Sequence, residues 1–225
     1  LIQNNVRTGG QQKIPRPPTW KLGNPAPWAG LDTAPLISLD YVVSKIALHS
    51  GQPAAVDSGA EARASAVLVV LYQGDTGVEV VLTKRAAHLK NHKGEISFPG
   101  GRVEPDETAH EAALREAEEE VAMPTKDIVM IGELDHLLTV VSQSYIVPLV
   151  GVMPYKPRLV ASPGEVDKIL HVPLHELVRE DTFVEEYWET NMGSFNIALF
   201  HLDDEIIWGA TARMLTQVLR LSFGV

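Results

Sequence analysis

The sequence predicts an α/β (α+β) fold, on three observations. Apolar runs of strand length recur at residues 66–72, 78–83, 128–134 and 145–153. Apolar residues at helical spacing lie before, between and after them, at residues 39–49, 107–122 and around Met214–Leu219. Strands and helices therefore occur in mixed order, as in a sheet covered by helices. The pattern leaves strand order open, and the chain carries no internal repeat.

Residues 1–37 are rich in Pro, Gly and polar groups, with Pro15, Pro17, Pro18, Pro25, Pro27 and Pro35. They read as an extended arm with little regular structure. Trp20 and Trp28 are costly to leave in water. They either pin the arm onto its own domain or contact a second subunit in a homodimer. Ser38 is placed to cap a short helix over residues 39–49, whose Leu39, Val42, Val43 and Ile46 would pack on the body. Residues 51–62 form a loop. Arm and short helix, 1–62, are set apart from a main domain over 63–225.

The run at 66–72 is apolar throughout, as in a central strand. Residues 74–77 turn the chain into a second strand at 78–83, making a hairpin. Lys84, Arg85, His88, Lys90, His92 and Lys93 follow, six basic or imidazole groups in an acidic chain. They form either a local anion site or ordinary surface charge. Between the strands at 128–134 and 145–153, Thr139, Ser142, Gln143 and Ser144 either face a ligand or satisfy loop backbone. Residues 162–166 form a loop before an apolar segment at 169–174. Residues 182–188 and 195–202 read as further strands. A last helix carries Met214, Leu215, Val218 and Leu219 at core spacing.

Residues 94–123 carry the chemistry. A short strand with Ile96 and Phe98 runs into Pro99-Gly100-Gly101, a turn whose glycines let backbone approach a ligand closely. The helix after it is expected over about residues 107–122, with Pro105 and Asp106 near its start, where acidic residues complement the helix dipole. No Gly or Pro interrupts it. Ala113, Leu114, Ala117 and Val121 share one side. Glu116, Glu119 and Glu120 share another, within an arc of roughly 100°. Like charges at these spacings cost roughly 0.2–0.5 kcal/mol per pair. The acidic face is either simply solvated or covered by a cation. Oxygen ligands without a thiol select magnesium or manganese rather than zinc.

Gly101, five residues, Glu107, seven residues and Arg115-Glu116-Ala117-Glu118-Glu119-Glu120 resemble the Nudix box, G-x5-E-x7-R-E-U-x-E-E-x-G-U, with U apolar. Every acidic and basic position is present. Ala122 stands where the box has Gly, and Met123 fits the final U. Residues 81–101 resemble the signature of the coenzyme A pyrophosphatase branch, L-L-T-x-R-[SA]-x3-R-x3-G-x3-F-P-G-G. Leu82, Thr83, Arg85, Ala86, Gly94, Phe98, Pro99, Gly100 and Gly101 match. Val81 replaces the first Leu, and Lys90 replaces the second Arg, keeping its charge but not its bidentate fork. Residues 206–212 resemble the closing segment of the same branch.

The resemblance implies an α/β/α sandwich with a mixed β-sheet, and attack of water on a pyrophosphate linkage. It implies Mg²⁺ or Mn²⁺ held by Glu116, Glu119 and Glu120, with either Glu116 or a further loop carboxylate, Glu165, as base. Arg115, inside the carboxylate cluster, would orient it by ion pairing. Gly100 and Gly101 would shape the turn against metal or phosphate, and Arg85 and Lys90 would bind phosphate. The implied substrate is coenzyme A or an acyl derivative, cut to phosphopantetheine and adenosine 3′,5′-bisphosphate. The alternatives are another nucleoside diphosphate derivative, such as ADP-ribose or NADH, and a non-catalytic nucleotide-sensing module. A sensing module is expected to have lost carboxylates, and none is missing here.

Composition agrees with an ordinary soluble enzyme. The net charge of −10 over 225 residues argues against a nucleic-acid or anionic-membrane partner. Zero cysteines exclude disulfides, thiolate catalysis and zinc–thiolate sites, and suit a reducing compartment. No apolar run approaches the length of a membrane span. The chain as given starts without a signal-like core and is expected in the cytoplasm.

Overall fold

A computed structural model describes residues 6–10, 12–55, 62–89, 92–139 and 143–225. In chain order the elements are β1 (Lys21–Leu22), α1 (Leu39–Ile46), β2 (Arg63–Gln73), β3 (Val78–Arg85), β4 (Ile96–Ser97), β5 (Gly100–Arg102) and α2 (Ala109–Val121). Then come β6 (Val129–Glu133), β7 (Leu137–Leu138), β8 (Ser144–Met153), β9 (Val166–Pro173), α3 (Leu174–Leu177), β10 (Phe183–Thr190), β11 (Gly193–His201), β12 (Ile206–Ile207) and α4 (Gly209–Phe223).

The main sheet is mixed. β2 runs parallel to β8 over ten paired residues, from Arg63↔Ser144 to Tyr72↔Met153. The β2–β3 hairpin pairs only from Leu71↔Val80 to Gln73↔Val78, and then the two strands diverge. Residues 96–102 fill the wedge between them: β4 pairs with β3 at Thr83 and Lys84, and β5 pairs with β2 at Ser65, Ala66 and Val67. Pro99 sits where the segment passes from one strand to the other, a place that needs no ladder N–H from it. A Cβ at Gly100 would lie 2.6 Å from Val67 Cα, so glycine alone lets this backbone lie against β2. β9 covers the other edge of β3, and β6 and β7 that of β8.

The continuous apolar run of β2 reflects burial on both faces. Ala66, Leu68, Val70 and Tyr72 pack with Ala112, Ala113, Ala117 and Val121 of α2. Val69 and Leu71 face the opposite way, into a core with Val42 and Ile46 of α1 and Leu215, Val218 and Leu219 of α4. The layers are therefore helix, mixed sheet, helices, as expected.

The start of α2 differs from expectation. It begins at Ala109, because Thr108 caps it: the Thr108 hydroxyl accepts the Glu111 N–H at 3.2 Å, and Glu111 accepts the Thr108 N–H at 2.8 Å. Pro105, Asp106 and Glu107 precede the helix in a turn closed by Glu107 N–H to Glu104 O at 3.2 Å, with Asp106 at φ 66°.

A second, four-stranded sheet in the order β1-β10-β11-β12 was not anticipated as a separate layer. The arm is largely irregular but contributes β1 to it. Trp28 is buried within its own chain, edge-on to Phe183 at 4.9 Å and stacked over Phe200 at 6.3 Å. Trp20 is half-buried beneath Arg16, 5.4 Å from its ring centre. Arg7 pairs with Glu176 at 2.8 Å, and Arg16 with the buried Glu186 at 2.9 Å. Among the described residues no helix is long and apolar enough to cross a membrane.

Candidate active site

The wedge segment places the Pro99-Gly100-Gly101 turn directly under α2. Glu120 is 3% exposed; its Oε2 accepts the Gly100 N–H at 3.3 Å, and its Oε1 lies 3.6 Å from Arg85 Nη1. Burial pushes the Glu120 carboxyl up to about 7, against the pull of the Gly100 N–H and Arg85. Glu116 and Glu165 push it further in the same direction. Glu116 is partly buried, and a Cβ at Gly101 would collide with its carboxylate. Burial raises Glu116 as well; Arg115 opposes that, while Glu119 and Glu165 add to it. Glu119 is exposed.

Arg115 ties this face together. Its Nε and Nη2 fork onto Glu107 at 2.8 and 3.1 Å, and its Nη1 reaches Glu116 at 3.1 Å and Glu119 at 3.0 Å. Nη2 also donates to Arg102 O at 3.1 Å. Two parallel bonds to one carboxylate fix the plane of the guanidinium, which fixes the direction of the others. Glu107 is thus the principal partner of Arg115, a role the residue reading did not assign. Its signal was its fixed place in the box, eight residues before Arg115.

Glu165 arrives from a distant loop. Val160 N–H bonds Val121 O at 2.9 Å and Ser162 N–H bonds Glu120 O at 2.8 Å, so the loop is laced to the end of α2. Glu165 O accepts the Ala86 N–H at 2.8 Å, which draws in the end of β3 beside Arg85. The side chain of Glu165 is exposed. The described residues therefore bring together Glu116, Glu120, Glu165, Arg85, Gly100 and Gly101, with Glu119 at the outer margin.

The basic run after β3 does not form a single patch. Lys84 pairs with the buried Glu205 at 2.9 Å, and Arg85 turns to Glu120, as neighbouring strand residues must face opposite ways. His88 bonds Gly164 O at 3.1 Å, and His92 bonds Glu95 at 2.8 Å. Arg85 Nε is buried without a hydrogen-bond partner among the described residues. Lys90 and Ser142 lie outside the described residues. Thr139 and Ser144 serve loop backbone: Ser144 N–H donates to Thr139 Oγ1 at 3.0 Å.

Among the described residues no three acidic or imidazole side chains stand at metal-ligand spacing. Glu116 and Glu119 are turned to Arg115, and Glu120 to Gly100 and Arg85, so binding one cation in common requires side-chain rotation. The donor set nonetheless fits a hard divalent cation. It is all oxygen and partly buried, and neighbouring carboxylates help to raise the proton affinity of Glu116 and of Glu120, which a positive charge between them would reverse.

A profile of the NUDIX domain matches residues 62–190. The chain is similar to "Uncharacterized Nudix hydrolase NudL" of Yersinia enterocolitica, at 31% identity over 185 residues, which are 80% of this chain and 91% of that protein. It is similar to Nudix hydrolase 3 of Caenorhabditis elegans, at 30% identity, covering 76% of this chain and 78% of that one. Among solved structures it is similar to a MutT/nudix family protein from Enterococcus faecalis, with a TM-score of 0.48, 13% identity and coverage of 83% and 70%. An Ap4A hydrolase binary complex from C. elegans gives a TM-score of 0.44, 18% identity and coverage of 52% and 85%.

Proposed function

The chain belongs to the NUDIX family, and from that premise we propose that it hydrolyses the pyrophosphate linkage of coenzyme A or an acyl-CoA. The products are phosphopantetheine, or its acyl form, and adenosine 3′,5′-bisphosphate. The observation that carries this reading is the meeting of helix carboxylates Glu116 and Glu120 with loop carboxylate Glu165 around Gly100-Gly101, beside Arg85. The choice of substrate rests on the segment that supplies Arg85 and the turn, which matches the coenzyme A signature from Leu82 to Gly101 apart from Lys90.

Nudix hydrolases generally use divalent metal ions. Glu116, Glu119 and Glu120 would hold Mg²⁺ or Mn²⁺, which neutralises diphosphate charge and acidifies water. Arg115, itself held by Glu107, gathers Glu116 and Glu119 on one face, from which they would rotate onto the cation. Glu116 or Glu165 takes the proton of the attacking water, Glu165 being the more exposed. Arg85, whose side chain is part-exposed, donates to a phosphate oxygen from the end of its guanidinium. The absence of side chains at Gly100 and Gly101 lets the turn lie against β2 and leaves room for the Glu116 carboxylate beside it.

The test is a panel of CoA, acyl-CoA, ADP-ribose, NADH and dinucleoside polyphosphates with Mg²⁺ or Mn²⁺, read by product mass. CoA and acyl-CoA should turn over fastest. Faster turnover of ADP-ribose or NADH would move the substrate. Tight nucleotide binding with no turnover would identify a sensing module.

A further inference from the structure

We propose that a groove between α4 and the free edge of β11 holds the nucleoside-phosphate half of the substrate, an inference that rests on the hydrolysis proposed above. The groove has a volume of about 810 Å³, within the range of small-molecule sites. Leu137, Ile197 and Leu221 give it apolar walls, and Phe195, 36% exposed, offers a ring at its side. Its other wall is α4, with Arg213 and Arg220 two turns apart on one face.

Charge identifies the ligand. The acidic groups lining the groove are engaged: Asp135 with His49 at 2.9 Å and the Gln52 N–H at 3.0 Å, and Glu185 with Asn24 Nδ2 at 2.7 Å. Arg213 has no hydrogen-bond or ion-pair partner among the described residues, and Arg220 uses only Nε, on Val225 O at 3.2 Å. With Asp135 and Glu185 already accepting hydrogen bonds, the two guanidinium groups keep free N–H donors on one wall of the groove, which suits a phosphate-bearing ligand.

The strand edge suits a base. β11 pairs with β10 along its whole length but with β12 only at Phe200 and His201. From Ser194 to Ala198 its second edge is unpaired among the described residues and offers alternating N–H and C=O groups to a planar heterocycle.

The head of the groove is tied to the segment that carries the Gly100-Gly101 turn. Gly209 and Ala210 line its head, and the next residue, Thr211, donates to Ile96 O at 3.0 Å. Ile96 lies four residues before Gly100, whose N–H meets Glu120, a path of at most roughly 14 Å even if fully extended. One substrate molecule would span the two.

Calorimetry with adenosine 3′,5′-bisphosphate on the full chain, without turnover, tests this beside steady-state kinetics. Arg213→Ala should weaken bisphosphate binding about 10- to 150-fold and raise KM for CoA while kcat holds, with Arg213→Lys intermediate. Circular dichroism controls for folding. Equal binding by wild type and Arg213→Ala, no binding by wild type, or a loss confined to kcat would overturn the groove. Arg213-dependent binding in a protein that hydrolyses no diphosphate would instead sink the hydrolysis and leave the groove standing as a nucleotide site.

Discussion

Glu120 is almost wholly buried yet keeps one N–H and one guanidinium for company, a poor bargain for a carboxylate that serves structure alone. Glu120→Gln keeps the shape and removes the charge. It should abolish turnover with an unchanged circular dichroism spectrum, and Glu119→Gln, at an exposed position, should do the same; near-normal turnover in either folded variant would remove it from the metal set. Metal at about 100 times its dissociation constant adds roughly 2.7 kcal/mol to the native state, a Tm rise of about 5–10 °C. Glu120→Gln should blunt that rise, and a wild type insensitive to millimolar metal would count against the site. Arg85 stands beside Glu120, which on the proposed reaction is the diphosphate end of the site. Arg85→Ala should therefore lower kcat/KM about 10- to 150-fold, and equally for CoA and dephospho-CoA. A loss seen only with CoA would place Arg85 at the 3′-phosphate.

At the scale of elements, α2 is held at both ends by local chemistry. Its capping box satisfies the first orphan N–H groups. At its C-terminus Ala122 adopts φ 52°, ψ 40°, so that its own N–H and that of Met123 can reach carbonyls of the last turn. A Cβ in this left-handed region costs roughly 1–2 kcal/mol. Ala122→Gly should raise stability by about 1 kcal/mol and Tm by about 2–4 °C, measured by thermal melting, with turnover unchanged. Destabilisation would show that the methyl group is gaining more from packing than it loses in strain. The loop that carries Glu165 is fastened to this same helix end, so α2 positions the distant carboxylate as well as its own.

At the scale of the molecule, the arm is bound to the second sheet by Trp28 and by ion pairs. Asp181 receives two hydrogen bonds from Arg179, both at 2.9 Å, and one from Arg7 at 3.4 Å. Arg179 foremost, and Arg7 with it, hold the Asp181 carboxyl down to about 2 against the ordinary 3.8. The folded value lies below the unfolded one, so the stabilisation is complete above about pH 4 and is lost as pH falls towards 2. Acid unfolding of wild type and Asp181→Asn should show a stability gap at pH 5 that closes near pH 2. A gap persisting at pH 2 would assign it to something other than charge.

The residues alone determined the elements whose signals are local. α2 was legible in its composition, β2 in an apolar run that only two-faced burial satisfies, and the helix at Leu39 in its Ser38 cap, which accepts the Tyr41 N–H at 3.3 Å. The spacing of Gly101, Glu107, Arg115 and the glutamates was equally local, and it led to the family. Tertiary structure decided what depends on residues far apart in the chain. The splayed hairpin and its wedge, the second sheet, the turning of Lys84 to Glu205 and Arg85 to Glu120, and the approach of Glu165 are all long-range pairings. Periodicity reports which face of an element is buried, but not which distant element buries it. The depth at which Glu120 sits, and with it the displaced proton affinity, follows from that second fact.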